Sequence, residues 1–185
     1  MYHIKNDKRA RASTELICAG LLVCMKEKPF ARITITDVQR ASTVSRSTFY
    51  RNFDCLEDVL ALLCDRGFQA VFTEYNALPP AQRGSLAKAV FQYWFRNSAV
   101  LEALVQIHRT DILFDSLRRS SGLIQALQPM AGDPARFDYF VAIITSSMIG
   151  VLTVWVEHGK TETENQMVQK LTSTFIEMAI LELPG

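Results

Sequence analysis

Glycine is scarce in this chain, eight among 185 residues, and none falls in a G-x-S-x-G elbow or a phosphate-cradling loop. Histidine is scarcer: His3, His108 and His158 lie far apart, and no H-E-x-x-H pair exists. Without those arrangements no hydrolase, zincin or nucleotide-phosphate signature can be assembled. The expectation is a protein without catalytic residues, metal or cofactor. The four cysteines, Cys18, Cys24, Cys55 and Cys64, show neither C-x-x-C spacing nor a neighbouring His pair, which argues against a zinc site or a disulfide framework and for reduced thiols. The opening residues Met1-Tyr2-His3-Ile4-Lys5 are charged and lack the apolar run of a secretory signal, so a cytoplasmic protein is expected. Sustained strand-like alternation and internal repeats are also missing.

What is present is apolar content and an uneven distribution of charge. Hydrophobic residues make up 49% of the chain, enough to bury a sizeable core. The net charge of +1 conceals two halves: residues 1–53 carry 10 Lys and Arg against 4 Asp and Glu, and residues 54–185 carry 10 against 15. A head of +6 on a body of −5 directs any polyanion to the N-terminal end. The longest uncharged run, Tyr139 to Val156, spans 18 residues, close to the roughly 20 needed to cross a bilayer. Thr145, Ser146, Ser147 and Thr153 interrupt it, Asp138 and Glu157 flank it, and no second such run exists. It reads as a helix buried in protein, with no membrane partner.

Helical spacing of apolar residues predicts an all-α fold. A first helix is expected from about Lys8 to Lys26, with Leu16, Ala19, Leu22 and Val23 inward, ending before Pro29. Lys5, Lys8, Arg9 and Arg11 crowd its start, where the helix dipole disfavours cations; a phosphate partner would resolve that conflict, and a solvated, frayed terminus is the plain alternative. A long helix from Asp54 to Leu78, carrying Val59, Leu60, Leu63, Ala70 and Val71, stops at Pro79-Pro80. Further helices are expected near Leu86–Phe95, Ala99–His108, Ile112–Leu127, Pro134–His158 and Thr163–Leu183, with Gly159 just past a C-cap.

The sharpest signal lies between Thr34 and Phe53, in ITITDVQRASTVSRSTFYRNF. Thr34 and Asp37 have the spacing of a capping box, with Val38 and Ala41 as the buried side of a short helix. Ser45 caps a second short helix, and Val44 plugs the turn between them. Phe49 and Phe53, four apart, point to one core. The remaining face, Ser45, Arg46, Ser47, Thr48, Tyr50 and Arg51, is polar and mostly short, suited to a DNA major groove. Arg46 is the candidate for a guanine contact, and Thr36, Thr48 and Tyr50 for phosphates.

This stretch resembles the TetR/AcrR family of transcriptional regulators, whose pattern reads approximately T-x-x-x-I-A-x-x-A-G-V-S-x-x-T-x-Y-x-x-F-x-x-K-x-x-L, densely from Leu16 to Leu63. Two positions depart from it. The family's turn glycine is Thr43, a β-branched residue expected to avoid positive φ or to be compensated locally. The family's phosphate-contacting lysine is Leu56, so Arg46, Arg51 or the basic arm would have to compensate. The resemblance implies a helix-turn-helix domain at 1–53 joined by a long fourth helix to a ligand-binding and dimerisation domain at 54–185. It implies a repressor in which a small molecule relieves binding to a palindromic double-stranded operator.

A looser likeness runs through Ser147, Gly150, Trp155, Gly159, Thr163 and Met167. It implies a homodimer through the last two helices. Ser146 and Gly150 permit close helix approach, and Met167, Leu171, Thr174, Phe175 and Met178 form an apolar stripe, which also fits ordinary monomer core. The effector pocket implied by the resemblance has Phe91, Trp94, Phe95, His108, Phe114, Tyr139, Ile143 and Ser147 as candidate lining, although each aromatic alone also suits core packing and His108 also suits a structural role. Cys55, beside the second short helix, is a candidate for oxidation-tuned binding or simply a small, partly buried residue. A helical adaptor acting through protein partners, with Thr43 and Leu56 in its favour, is the competing function.

Overall fold

The computed structural model describes residues 2–5, 7–123 and 133–181. Among the described residues there are nine α-helices and no strand. The all-α expectation therefore stands.

The head is built from α1 (Lys8–Glu27), α2 (Ile35–Ser42) and α3 (Arg46–Asn52). Asp7 caps α1 by accepting from the Ala10 N–H at 2.8 Å, and Pro29 prevents its continuation. The face that α1 buries is Thr14, Ile17, Leu21 and Cys24, not the expected one: Leu16 and Val23 are exposed, as is Ala19, and Leu22 is half-buried. Both stripes have helical spacing, and close approach to α2 decides between them. A Cβ placed on Gly20 would lie 2.8 Å from Ser42 Cβ and 3.1 Å from the Val38 carbonyl oxygen, so the Gly20 side of α1 must face inward. The same approach corrects α2, whose buried residues are Val38 and Ser42, whereas Ala41 is exposed.

The capping box at α2 is present in full. The Thr34 hydroxyl accepts from the Asp37 N–H at 3.2 Å, and the Asp37 carboxylate accepts from the Thr34 N–H at 2.8 Å. Lys28 joins it at 2.7 Å. The Lys28 ammonium, with the Thr34 hydroxyl and N–H, holds the Asp37 carboxyl well below the usual carboxylate range.

Thr43 ends α2 at φ 58°, ψ 15°, so of the two expectations, avoidance of positive φ or local compensation, the turn follows the second. Buried Val44 pins the turn, and its N–H donates to the Ser42 hydroxyl at 3.3 Å. The left-handed conformation costs an L-residue about 1–2 kcal/mol, and asparagine tolerates it better. Thr43→Asn should therefore raise stability by about 1 kcal/mol, or roughly 2–4 °C in melting temperature for a chain of this size. A thermal melt at or below the wild-type midpoint would contradict that reading.

The helix α4 (Leu56–Ala77) runs roughly 33 Å and packs against α5 (Leu86–Arg96), α6 (Ser98–Gln106) and α7 (Thr110–Ser120). Its Val59, Leu60 and Val71 are buried as expected, while Leu63 and Ala70 are half-buried. Arg83 closes its C-terminal end, donating to the carbonyls of Leu78 and Asn76 at 2.9 and 2.8 Å. Helices α8 (Pro134–Glu157) and α9 (Glu164–Leu181) complete the bundle. The expected ends of the seventh and ninth helices, at Leu127 and Leu183, lie outside the described residues.

Helices α6 and α8 both end in Schellman motifs. In the first, Arg109 N–H reaches the Leu104 carbonyl at 2.8 Å across His108 at φ 55°. In the second, Lys160 N–H reaches the Trp155 carbonyl at 2.8 Å across Gly159 at φ 73°, as the position of that glycine suggests. By length and composition α8 could cross a membrane, its most apolar 18-residue window having a mean hydropathy of 1.9, and 33% of that window is buried. Its inward face carries Val141, Thr145, Met148, Leu152 and Trp155; Tyr139, Ile143 and Val154 point outward. The expectation of a helix buried in protein thus holds for one face of this chain only.

Candidate nucleic-acid interface

Ser45 begins α3 by accepting from the Thr48 N–H at 3.3 Å. Its hydroxyl also lies 3.1 Å from the Ser47 hydroxyl and 2.9 Å from that of Thr48. One turn on, Arg46 donates to the Tyr50 hydroxyl at 3.4 Å, its guanidinium 5.6 Å from the ring centre. Phe49 and Phe53, fully buried with ring centres 5.8 Å apart, fasten the opposite side of this segment to the core. Arg46, Ser47, Tyr50 and Arg51 are consequently exposed together, with Thr48 half-buried beside them. Thr36 is exposed in the first turn of α2.

A feature that sequence reasoning left indefinite is the placement of the basic arm. Lys5, Lys8, Arg9 and Ser13 face Thr48, Arg51 and Asn52 across a groove of about 520 Å³. The arm is tied down rather than frayed, since His3 N–H donates to the Asn52 carbonyl at 3.0 Å. Arm and α3 together make one cationic surface, on which Lys5, Lys8, Arg9 and Arg51 outnumber the single carboxylate of Asp7.

A second concavity lies in the body, between α4, α5, α7, α8 and α9. It measures about 270 Å³ and is lined by Phe72, Leu86, Ala87, Val90, Leu117, Ser121, Phe140, Val141, Ile144, Thr145, Met148 and Leu171. Among the described residues its lining holds no ionisable side chain.

Residues 85–177, about half of the chain, match the TetR-type family described as the transcriptional regulator C-terminal region. The chain belongs to the TetR family of transcriptional regulators. No curated protein matches its sequence. Among solved structures, Lin0861 from Listeria innocua resembles it with a TM-score of 0.74 at 15% identity, covering 95% of this chain and 96% of that one. A TetR transcriptional regulator from Streptococcus agalactiae gives 0.60 at 17% identity, covering 91% and 96%. A protein from Syntrophomonas wolfei described as a TetR-family transcriptional regulator gives 0.64 at 17% identity, covering 95% and 98%. At these identities the likeness is one of fold.

None of the eight residues expected around an effector lines the 270 Å³ cavity of this TetR-family chain. Phe91 and Trp94 are buried in the core, Trp94 with its ring centre 5.3 Å from those of Phe68 and Tyr93. Phe95 stacks on Trp155 with centres 4.0 Å apart. His108 is exposed at the end of α6, and Phe114 is half-buried. Tyr139 and Ile143 face outward, and Ser147 donates to the Ile143 carbonyl at 2.8 Å. The cavity instead uses the side of α8 offset from those residues, a choice set by how α8 rotates against α7.

One departure from the TetR pattern and the cysteine beside it acquire physical content. Leu56 is buried in the core, so the site of the family's lysine has become packing. Burial raises the Cys55 thiol above its ordinary value, with Glu57 and Asp58 adding to the rise, which opposes the thiolate that oxidation requires. Burial likewise pushes Cys18 up to about 11.

Proposed function

We propose that this chain is a cytoplasmic, homodimeric DNA-binding repressor whose grip on a palindromic operator is relieved by a small apolar molecule. The observation that carries the proposal is the cationic surface formed by α3 and the arm. Arg46, Ser47, Thr48 and Tyr50 sit in the first turns of a short helix whose other side is bolted to the core. The groove beside it, lined by Lys5, Lys8, Arg9 and Arg51, suits a phosphate backbone. In this reading Arg46 contacts a guanine, Ser45, Thr48, Tyr50, Arg51 and Thr36 engage phosphates, and residues 1–53 and 54–185 act as DNA-binding and ligand-binding units.

The cavity supports an uncharged, apolar effector. An apolar cavity of about 150 Å³ accepts benzene, so one of 270 Å³ holds about a dozen heavy atoms. Long α4 has Leu56 at the head and Phe72 in the cavity wall, so an effector that prefers one placement of α4 biases the head. A second copy covers the outward face of α8, where Ser146 and Gly150 lie among Tyr139, Ile143 and Val154. On α9, Leu171, Thr174 and Phe175 border the adjoining groove, whereas Met167 is buried within this chain; Met178 has no described side chain.

Fluorescence anisotropy with duplex DNA from upstream of the chain's own gene tests the proposal. Expected is a complex preferred over random duplex, weakening on the order of 10³-fold between 50 and 200 mM salt. Arg46→Ala should cost roughly 10- to 100-fold in specific affinity. Equal affinity for random duplex at moderate salt would refute specific DNA recognition.

A further inference from the structure

The N-terminal arm alternates like a strand. Tyr2 and Ile4 are half-buried and packed against the core, while His3 and Lys5 are exposed. Tyr2 reaches furthest: its hydroxyl donates to Asp65 Oδ2 on α4 at 2.5 Å, a contact spanning 63 positions in sequence. The other oxygen of that carboxylate accepts from Ser116 Oγ at 2.5 Å and from Arg119 Nη2 at 2.8 Å, both on α7. Asp65 is thus a three-way junction of arm, α4 and α7. From this junction the arm runs to α3, where His3 N–H meets the Asn52 carbonyl, and on to Lys5 at the cationic groove.

We propose that Tyr2 and Asp65 form a latch that holds residues 2–5 as a strap over α3 and α4, positioning Lys5 to contact a backbone phosphate of DNA, and that Ser116 and Arg119 of α7 keep the latch shut. The proposal rests on the DNA-binding reading above for its phosphate, but not for the latch itself. Chain ends fray unless tied, and a loose arm would lose its conformational entropy at every binding event; a latched arm has lost it on folding. The Tyr2 phenol, pushed up to about 12 by burial and by its hydrogen bond to Asp65, remains a donor across the physiological range. The neighbours of Ser116 on α7 include Leu117, and Ser121 follows; both line the cavity. The latch is therefore one residue away from the wall that an effector would press.

Tyr2 is a positioning residue in this account, and two readouts on the full chain separate its parts. Trypsin hydrolysis after Lys5 reports the latch without DNA. Tyr2→Phe should accelerate that cut roughly 5- to 10-fold, the equivalent of one hydrogen bond, and Ser116→Ala should accelerate it by a smaller factor, with thermal melts showing the fold intact. An unchanged rate in Tyr2→Phe overturns the latch, and an unchanged rate in Ser116→Ala removes α7 from it. The second readout is the salt dependence of duplex binding. Lys5→Ala should reduce the slope by about one in wild type and produce no further reduction in Tyr2→Phe. Equal reductions in both backgrounds, or none in wild type, overturn the positioning role. If wild type binds no duplex specifically, the phosphate contact falls with the DNA reading, and the cleavage result alone decides the latch.

Discussion

Gly150→Trp is expected to convert a dimer into a well-folded monomer and to weaken operator binding on the order of 10²- to 10³-fold. Within one chain the fold should be kept, because Gly150 is exposed, a Cβ built on it meets nothing within 4 Å and a helical glycine costs about 1 kcal/mol relative to alanine. Monomer stability should stay level or rise. Against a second copy the outcome reverses. Gly150 lies on the exposed face of α8 with Ser146, Ile143 and Val154, and small residues there let two helices approach closely. An indole at that point forces them apart. Two linked heads gain their affinity from simultaneous engagement of two half-sites, so losing the pairing removes far more than any single contact. Sedimentation equilibrium at low micromolar concentration reads the assembly state. A dimer that persists in Gly150→Trp would place the interface elsewhere, and a wild-type monomer would sink the homodimer altogether.

Gly20→Val has the opposite signature: it should damage the fold of the head while leaving the assembly intact. A single carbon added at Gly20 would approach Ser42 Cβ to 2.8 Å, the Ser42 nitrogen to 3.0 Å and the Val38 oxygen to 3.1 Å. Two of those three atoms are backbone, so they cannot rotate away, and valine adds three carbons where one has no room. Overpacking of this kind costs about 3 kcal/mol or more, which corresponds to a loss of roughly 6–12 °C in melting temperature. Because α2 supports the turn that aims α3, DNA affinity should fall with it. Gly84→Ala is the control, since its added Cβ also meets nothing within 4 Å. Equal melting of Gly20→Val and wild type would show that α1 and α2 can separate without penalty.

The legible parts of this chain are those specified over a few residues. The Thr34–Asp37 box, the Ser45 cap, the Val44 plug and the Phe49–Phe53 pair each depend on spacings of three or four, which one helical turn converts directly into contact. Local rules were less useful where two choices satisfied them equally. Helix α1 offers two apolar stripes of the same period, and the buried one contains threonine and cysteine rather than Leu16 and Val23. At Thr43 the sequence leaves two outcomes open, avoidance of positive φ or local compensation, and the structure selects the second: a threonine held at φ 58° because buried Val44 and the Ser42 hydroxyl constrain the residues on either side.

The cavity in the body was illegible for a related reason. Aromatic residues suggest pocket walls, yet Phe91 and Trp94 fill space, and the 270 Å³ void is walled by other residues, Phe72 and Phe140 together with Ala87, Val90 and Thr145. A cavity is what packing leaves over, and it depends on the rotation of five helices at once.

Sequence alone determined the helical class, the helix-turn-helix between Thr34 and Phe53 and the cationic character of the head, since periodicity, capping and charge are properties of short segments. Only the tertiary structure decided which face of α1 is buried, where the body is hollow, and that Tyr2 meets Asp65, Ser116 and Arg119. Those contacts join residues 51 to 63 positions apart, and no local interaction can encode a distance that the packing of the whole chain creates.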